Sequence, residues 1–468
     1  MKVSVLELIK SDYPAITPEA AAKEALRLAD DIVKTPFSKD PSFMSGSLGT
    51  AIFLCAALRY KNESGTAADD RPYNKSCLIS NNRSYNKSCT AADDRSYIEQ
   101  VLTQLEESLA NGILTDLSLA SGLCGTIHAL ILLSRIGCPG DLSYLLNLAL
   151  DRLSAASPSG LAYTDYYLGT AGIVSVLCEI IEYLDSSLHS ATDASSHSAT
   201  DASLRPALHK MLLTAMEQLL SRQNIPTDGR MLWDLIYTQK PISGLGHGMF
   251  GIGAALLRGA RILEKVPGLV PKDRIESIRS AGRSAFGFEL DSYRPDLTEW
   301  PDLRPNGSPS VSLHGICSGA PGIGMGLLAL NDEPLMNENK ALLERAHDSC
   351  LKAALRKNDH LCCGKASLVE YFLTRYALTG ERDHFITAGR VLSHMNNERL
   401  RCGFGRYSFP AAIPAADTSL FFGSAGPGYE YLRYALPALP PVLPDFMSAE
   451  SLAFPHSEGK HTRFPHIP

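Results

Sequence analysis

Residues 121–133 read SGLCGTIHALILL, and this pattern decides the fold. Two glycines separated by two residues are followed at once by an apolar segment with helical spacing. A glycine at a helix start lets the backbone turn sharply and lets neighbouring helices approach closely. The stretch therefore predicts a tight turn that opens a buried helix.

The same signature recurs along most of the chain, and each copy leads into an apolar run. The seven copies are Gly46–Gly49, Gly122–Gly125, Gly169–Gly172, Gly248–Gly251, Gly319–Gly322, Gly364–Ser367 and Gly423–Gly426. One such pair alone is ordinary packing, but an ordered series predicts a repeat architecture. We therefore expect an all-α protein, an α/α toroid whose inner helices close into a ring with the GxxG turns at one mouth.

Composition excludes several function classes. The chain has 468 residues, with 44 Lys and Arg against 50 Asp and Glu, a net charge of −6. Bulk charge therefore does not favour a nucleic acid, and we expect no nucleic-acid partner. We expect no integral membrane segment, because no apolar run reaches the ~18 residues that a spanning helix needs. The N-terminus lacks a signal-peptide pattern, which predicts a cytoplasmic protein with reduced cysteines.

The chain divides into three parts by composition. Residues 1–40 precede the first signature and predict a helical extension, residues 41–436 make up the toroid, and residues 437–468 are a Pro-rich tail. Polar direct repeats interrupt the toroid at 61–96 and 186–205. Because long insertions are tolerated best in surface loops, both repeats are interpreted as loop inserts.

Three of the 11 cysteines stand directly before signature glycines. Cys317 lies two residues before Gly319, and Cys362 and Cys363 immediately precede Gly364. If the turns lie side by side, three thiolates converge from two neighbouring loops. Three protein ligands with one open position are typical of catalytic zinc. The alternative is that these cysteines are small buried hydrophobic residues.

Five other side chains are expected near the same mouth. His247 precedes the fourth signature and would shuttle protons or simply pack at the helix start. Asp165, before the third signature, would orient a histidine or cap a helix. His314 and His360 are candidates for outer donors or a fourth ligand, or else exposed or capping residues. Arg304 is expected to meet a carboxylate or backbone carbonyls.

Taken in order, the motifs resemble a known family. Among its seven signature-headed helices the chain carries GHG at 246–248, WPDLR at 300–304, CSGAPGIG at 317–324 and CCG at 362–364. This set is similar to the lanthionine synthetase cyclases, most of all to the C-terminal cyclase domain of class II lanthipeptide synthetases. The resemblance covers residues 40–435 and implies a toroid of seven inner and seven outer helices.

The resemblance also implies an activity. In that family zinc activates a peptide cysteine, whose sulfur adds to dehydroalanine or dehydrobutyrine in the same peptide and closes a thioether ring. It implies Zn²⁺ as the cofactor and a dehydrated precursor peptide as the partner. Carried over, the zinc ligands fall on Cys317, Cys362 and Cys363, the proton-handling histidine on His247, and the family's aspartate on Asp165.

The sequence departs from the family pattern at several positions. Cys363 stands where the family usually has a histidine, as in class II members that use three cysteines. Ile316 replaces a tryptophan, Leu313 an arginine, and Ser318 a tyrosine or histidine, while Ser367 ends the sixth signature. These changes bear on the proton relay more than on the metal site.

Alternative functions remain open at this stage. Nothing that resembles a dehydratase precedes the toroid, so we expect a stand-alone cyclase fed by a separate dehydratase. The alternatives are a decayed cyclase or a non-catalytic toroid that binds a peptide or a thiol such as glutathione. A carbohydrate-active toroid would need paired carboxylates at the mouth, where the sequence offers Asp165 without an obvious second acid.

Overall fold

The structure, a computed structural model, describes residues 3–65, 91–156, 163–190, 198–235, 240–304, 307, 314–330, 333–355, 358–402 and 417–444. Within these residues the chain is mostly helical. In chain order the elements are α1 (Val5–Lys10), α2 (Pro18–Val33), α3 (Ser47–Glu63), α4 (Ala91–Ala110), α5 (Leu123–Ile136), α6 (Leu142–Ala155), α7 (Thr170–Ser190), α8 (Ser198–Ser221), β1 (Gln223–Thr227), β2 (Arg230–Trp233), α9 (Met249–Glu264), α10 (Lys272–Ser292), α11 (Ala320–Ala329), α12 (Glu333–Lys352), α13 (Lys365–Thr379), α14 (Arg382–Cys402) and α15 (Ala425–Ala435). The strands β1 and β2 form one antiparallel hairpin.

The helices alternate between two layers. The odd-numbered helices from α3 to α15 form the inner layer, in which each contacts the next and α15 returns to α3. The even-numbered helices from α4 to α14 each pack outside the inner helix that precedes them. The remaining outer position, against α15, is filled by α2. Over the described ranges, seven inner and seven outer helices therefore close into an α/α toroid, which confirms the expected fold.

The helix α2 shows that the N-terminal extension contributes to the outer layer. The Thr17 hydroxyl accepts the backbone N–H of Ala20 (3.2 Å), and Pro18 occupies the first helical position. Both favour a helix start, because the Thr17 hydroxyl accepts a backbone N–H that a first turn leaves unsatisfied and proline has no N–H there to satisfy. Its buried face, including Leu28 and Ile32, packs on the toroid. The preceding helix α1 contacts α12 and α14.

A closed ring of backbone hydrogen bonds links all seven signature turns. In every turn, the residue two positions before the first glycine donates its N–H to the carbonyl of the equivalent residue in the next turn. The pairs are Met44 to Ala120 (3.0 Å), Ala120 to Tyr167 (2.9 Å), Tyr167 to Gly246 (3.1 Å), Gly246 to Cys317 (2.9 Å), Cys317 to Cys362 (3.4 Å), Cys362 to Phe421 (2.9 Å) and Phe421 to Met44 (3.0 Å). We call this set the mouth ring. It fixes the register of every turn against its neighbours.

Where the second signature residue is glycine, close packing within the turn leaves no room for a Cβ. A Cβ on Gly125 would stand 2.1 Å from the carbonyl oxygen of Leu119, and a Cβ on Gly322 would stand 2.0 Å from that of Ile316. The sixth copy has Ser367 instead, whose hydroxyl donates to the His314 carbonyl (2.9 Å) and so ties the sixth turn to the fifth.

The end of the described chain packs against two of the inner helices, α5 and α13. Val442 and Leu443 are fully buried. The Val442 carbonyl is bonded to Nε2 of His128 (2.8 Å), and its N–H donates to the Glu370 carboxylate (2.9 Å). Glu370 is also paired with the buried Arg433. The first part of the predicted tail is therefore part of the core.

The first predicted insert falls largely outside the described residues: 66–90 is not described, and its two ends belong to the end of α3 and to α4. Of the second, only 191–197 is not described, and the rest belongs to the end of α7 and the start of α8, so the expectation of a loop is wrong for these helical ends. The predicted tail is not described beyond 444. Among the described helices, none is long and apolar enough to cross a membrane.

Candidate metal centre

The mouth ring places the three candidate ligands together. Cys317 and Cys362 occupy equivalent positions in adjacent turns, and Cys363 follows Cys362. Their Sγ atoms all lie within 4.8 Å of one another. The backbone approaches closely here, because a Cβ on Gly315 would stand 2.6 Å from the Cβ of Cys363. In the part of the chain that the structure describes, this is the one group of three or more His, Cys, Asp or Glu residues that is arranged to hold a metal ion.

The thiols oppose one another's ionisation. Interaction with the Cys362 thiol lowers the pKa of Cys317, but the Cys363 thiol and burial raise it, and the net result is a pKa of about 11. The neighbouring thiols and burial raise the pKa of Cys362 well above its ordinary value. A divalent cation at the centre of the cluster would reverse this balance and favour thiolates.

The donor set fits zinc. Three sulfurs on one tetrahedral Zn²⁺ lie roughly 3.8 Å apart, given Zn–S bonds of about 2.3 Å, so the cluster needs little adjustment. In the third turn, Tyr167 occupies the mouth-ring position that Cys317 and Cys362 occupy in theirs, and it is buried beside the sulfurs. Burial and the charges of all three cysteines raise the pKa of its hydroxyl. Among the described residues that hydroxyl has no hydrogen-bond partner, so a polar group at the centre of the mouth would satisfy it.

Asp165 and His247 form a pair at the same mouth. The His247 Nδ1 lies 3.3 Å from Oδ2 of the fully buried Asp165. The other carboxylate oxygen, Oδ1, accepts the N–H of Leu168 (2.7 Å), so Asp165 both holds its own turn and faces the histidine. His247 also packs edge-on against Tyr167, with ring centroids 5.3 Å apart, and its charge lowers the pKa of Cys317. The structure therefore brings these two predicted residues to the cysteine cluster.

The other two histidines lie beside the cluster without completing it. His360 is buried, and its Nδ1 accepts the Cys363 N–H (3.4 Å) while its Nε2 lies 4.0 Å from the Cys363 sulfur. His314 points its Nε2 toward a carboxylate oxygen of Glu299 (3.5 Å). Both positions agree better with outer donors than with a fourth ligand.

A small cleft lies next to the cysteine turn. Its walls include Trp300, Arg304 and Ser318. Arg304 donates from Nε and Nη2 to the two carboxylate oxygens of Asp302 (2.8 and 2.7 Å), so the expected carboxylate partner is present. These hydrogen bonds raise the pKa of Arg304, and the charges of Cys317 and Cys363 add to the effect. Arg304 is therefore near enough to Cys317 and Cys363 to interact with them electrostatically, as part of an ion pair with Asp302.

The remaining cysteines lie away from this centre. Cys55 and Cys138 form a disulfide with their Cα atoms 5.4 Å apart, which the expectation of uniformly reduced cysteines did not include. The described cysteines that are neither in the cluster nor in this disulfide are Cys124, Cys178, Cys350 and Cys402. Cys77, Cys89 and His197 lie outside the described residues, as does the side chain of His189.

Sequence reasoning missed two residues of this region. Tyr167 stands two residues before a signature glycine, as Cys317 and Cys362 do, so the register already marked it. Glu289 lies on α10 and reaches the turn before α9, where Gly244 donates to it (3.0 Å). No motif connects the two segments, so the sequence carried no signal for Glu289.

Together, the fold and the cysteine cluster define a class of protein: an α/α toroid with a sulfur-rich candidate metal centre at its mouth. The family described as lanthionine synthetase C-like protein matches residues 75–447, and the chain belongs to that family. Among solved structures, nisin cyclase is similar with a TM-score of 0.56 at 16% sequence identity, covering 91% of this chain and 98% of that chain. That likeness establishes the shared fold. No curated protein sequence matches the chain significantly.

Proposed function

We propose that this protein is a zinc-dependent cyclase that forms (methyl)lanthionine rings in a dehydrated precursor peptide. The observation that carries the proposal is the convergence of Cys317, Cys362 and Cys363 within 4.8 Å. Membership of the lanthionine synthetase C-like family and the likeness to nisin cyclase support a cyclase. Three cysteines and an open side toward the mouth are suited to a metal that also binds substrate.

In this proposal Cys317, Cys362 and Cys363 hold Zn²⁺. When bound, the metal lowers the pKa of a substrate thiol and so makes it nucleophilic near neutral pH. Three thiolates leave the site with one negative charge more than a site of two cysteines and one histidine. Arg304 interacts electrostatically with Cys317 and Cys363, but its bidentate pair with Asp302 already neutralises most of its charge.

The addition balances without an external oxidant or reductant. The peptide sulfur bonds to the Cβ of the dehydro residue, the carbon–carbon double bond is lost, and Cα takes up a proton. The thiol's own proton leaves before attack, so the net change is addition of S–H across the double bond. Asp165 holds Nδ1 of His247, which leaves Nε2 to carry a proton between solvent and the reacting atoms.

Metal analysis is the first test. We expect about one zinc per purified wild-type chain. Cys317→Ala and Cys363→Ala should each lose most of it, while Cys402→Ala, at a cysteine remote from the cluster, should keep it. A wild-type protein without zinc, or variants with unchanged metal content, would contradict the site.

A second assay separates a cyclase from a binding module. A dehydrated peptide with free cysteines is incubated with the zinc-loaded protein and then treated with a thiol-alkylating reagent. Its mass is measured by mass spectrometry. A cyclised peptide has no free thiol and resists alkylation. We therefore expect less alkylated peptide with the wild-type protein. The amount should stay unchanged with Cys363→Ala and in the sample without protein. Zinc and peptide binding with no gain of resistance would instead identify a non-catalytic peptide- or thiol-binding toroid. A separate dehydratase and a cytoplasmic location remain predictions.

A further inference from the structure

Three of the signature turns are anchored by a carboxylate of their own. In each, an aspartate six residues before the first glycine accepts the backbone N–H of the serine two positions on. The pairs are Asp40 with Ser42 (2.9 Å), Asp116 with Ser118 (3.0 Å) and Asp417 with Ser419 (2.8 Å). The fourth turn, which carries His247, has Ile242 at this position. In that turn the anchoring carboxylate comes from another helix.

Glu289 supplies it from the outer layer. This fully buried residue of α10 accepts the Ser243 hydroxyl (2.5 Å) and the backbone N–H groups of Gly244 and Phe250 (both 3.0 Å). Phe250 lies in the first turn of α9, whose N-cap residue Gly248 offers no side-chain hydrogen bond. One carboxylate thus holds both ends of this turn, and His247 lies between the two ends.

The same residue also fixes the loop across the cleft. The Glu289 backbone carbonyl accepts the indole N–H of Trp300 (2.8 Å), which anchors the loop leading to Arg304. On the other side, the clamped turn reaches the metal centre, because Gly246 donates to the Cys317 carbonyl (2.9 Å). Movement of Glu289 would therefore displace His247 relative to the cysteine cluster and to Arg304.

We propose that Glu289 is a positioning residue for the cyclisation, which holds the His247 turn in register with the metal centre and the cleft. The inference rests on the proposed function. An ionised carboxylate only accepts hydrogen bonds and so can serve all three donors at once. A protonated carboxyl turns one oxygen into a donor, and the clamp on the turn then weakens.

Glu289 ionises near neutral pH. Burial raises the pKa of Glu289 to about 7, while the hydrogen bonds from Ser243, Gly244 and Phe250 lower it. Charged side chains on the elements packed around this part of α10 are engaged elsewhere. Arg230 of β2 pairs with Asp291 (2.7 Å), Arg345 of α12 donates to the Leu290 carbonyl (3.1 Å), and His247 on the turn faces Asp165 (3.3 Å).

The test compares three variants of the full-length, zinc-loaded protein. Glu289→Gln keeps the shape and one carbonyl acceptor but cannot ionise. Ser243→Ala removes a hydrogen bond that lowers the pKa of Glu289, so the clamp should ionise at higher pH. Asp291→Asn changes an exposed carboxylate on the same helix and is the matched control. For each, we would measure zinc content, the kcat and KM of ring closure from pH 5.5 to 9, and the infrared absorption of protonated carboxyl groups.

We expect wild-type kcat to rise through a step near pH 7 and Ser243→Ala to shift this step upward. Glu289→Gln should lose the step and turn over about 10-fold more slowly above pH 7, with zinc content unchanged, because a small displacement of His247 costs rate rather than metal. Asp291→Asn should follow wild type. An unaltered profile in Glu289→Gln, or a step that Ser243→Ala leaves in place, would overturn the proposal.

The infrared measurement keeps this inference separable from the proposed function. If the wild type closes no rings, the cyclase proposal fails, but the carboxyl signal still reports on the clamp. A buried carboxyl that titrates near pH 7 in wild type, at higher pH in Ser243→Ala and not at all in Glu289→Gln supports the clamp. A carboxyl signal that Glu289→Gln does not remove contradicts it.

Discussion

Gly322→Ala tests both the role of the signature and its connection to the metal centre. The new Cβ would stand 2.0 Å from the Ile316 carbonyl oxygen, inside the turn that carries Cys317. Real Cβ atoms rarely come within 3.0 Å of another heavy atom, so the backbone must move by about 1 Å in a close-packed site. Overpacking of this kind costs about 1–3 kcal/mol, and more when backbone rather than a side-chain tip must yield.

A gain in helix propensity opposes this cost. Replacing glycine by alanine inside a helix favours the helix by up to about 1 kcal/mol. We therefore expect Gly322→Ala to lower the free energy of unfolding by about 2 kcal/mol net. Because Ile316 adjoins Cys317, zinc affinity should also fall, by roughly 10–100-fold as for other perturbed ligand supports.

Two further variants make the experiment decisive. Gly125→Ala creates the same clash, 2.1 Å from the Leu119 carbonyl, in a turn that bears no cysteine ligand. It should lose similar stability in urea unfolding and keep its zinc affinity in a chelator competition. Gly287→Ala meets only the flexible side chain of Arg230, at 3.0 Å, and should be neutral or slightly stabilising. Wild-type stability in Gly322→Ala, or equal loss of zinc affinity in Gly125→Ala, would refute this reasoning.

Three other predictions follow from contacts described above. His247→Asn should keep zinc and slow ring closure by about 10²–10⁴-fold in the alkylation assay; an unchanged rate would remove His247 from the proton relay. Arg433→Met leaves Glu370 buried without its cation and should lower the free energy of unfolding by about 3–5 kcal/mol in urea; a loss below about 1 kcal/mol would contradict a buried ion pair. Peptide mapping without reductant should recover Cys55 and Cys138 as one linked pair, which reductant separates; two freely alkylated cysteines would rule out the disulfide.

The sequence predicted the fold because the information is local and repeated. Each glycine pair reports a steric need inside its own turn, as the short distance from Gly125 to Leu119 shows, and seven copies imply a closed ring. The part played by α2 was not predicted. Outer helices carry no signature, so nothing in residues 18–33 marks them as the partner of α15.

Candidate site residues were predictable where they share the register of the turns. Cys317 and Cys362 stand at equivalent positions, and the backbone bond between them follows from that equivalence. Glu289 and the Cys55–Cys138 disulfide depend on contacts between segments that no spacing rule connects. The catalytic and metal-binding roles themselves remain predictions until zinc and turnover are measured.

The mouth ring has a consequence for biosynthesis. Its last link runs from Phe421 back to Met44, so the two ends of the repeat series are direct neighbours. A nascent chain on the ribosome can stack its early helices in turn, but it cannot seal the mouth until the final signature has emerged. Closing so long a loop is entropically costly and slow. The cysteine pocket should therefore mature only at the end of synthesis, and a prematurely terminated polypeptide would be left with a gap where its first and last turns should meet.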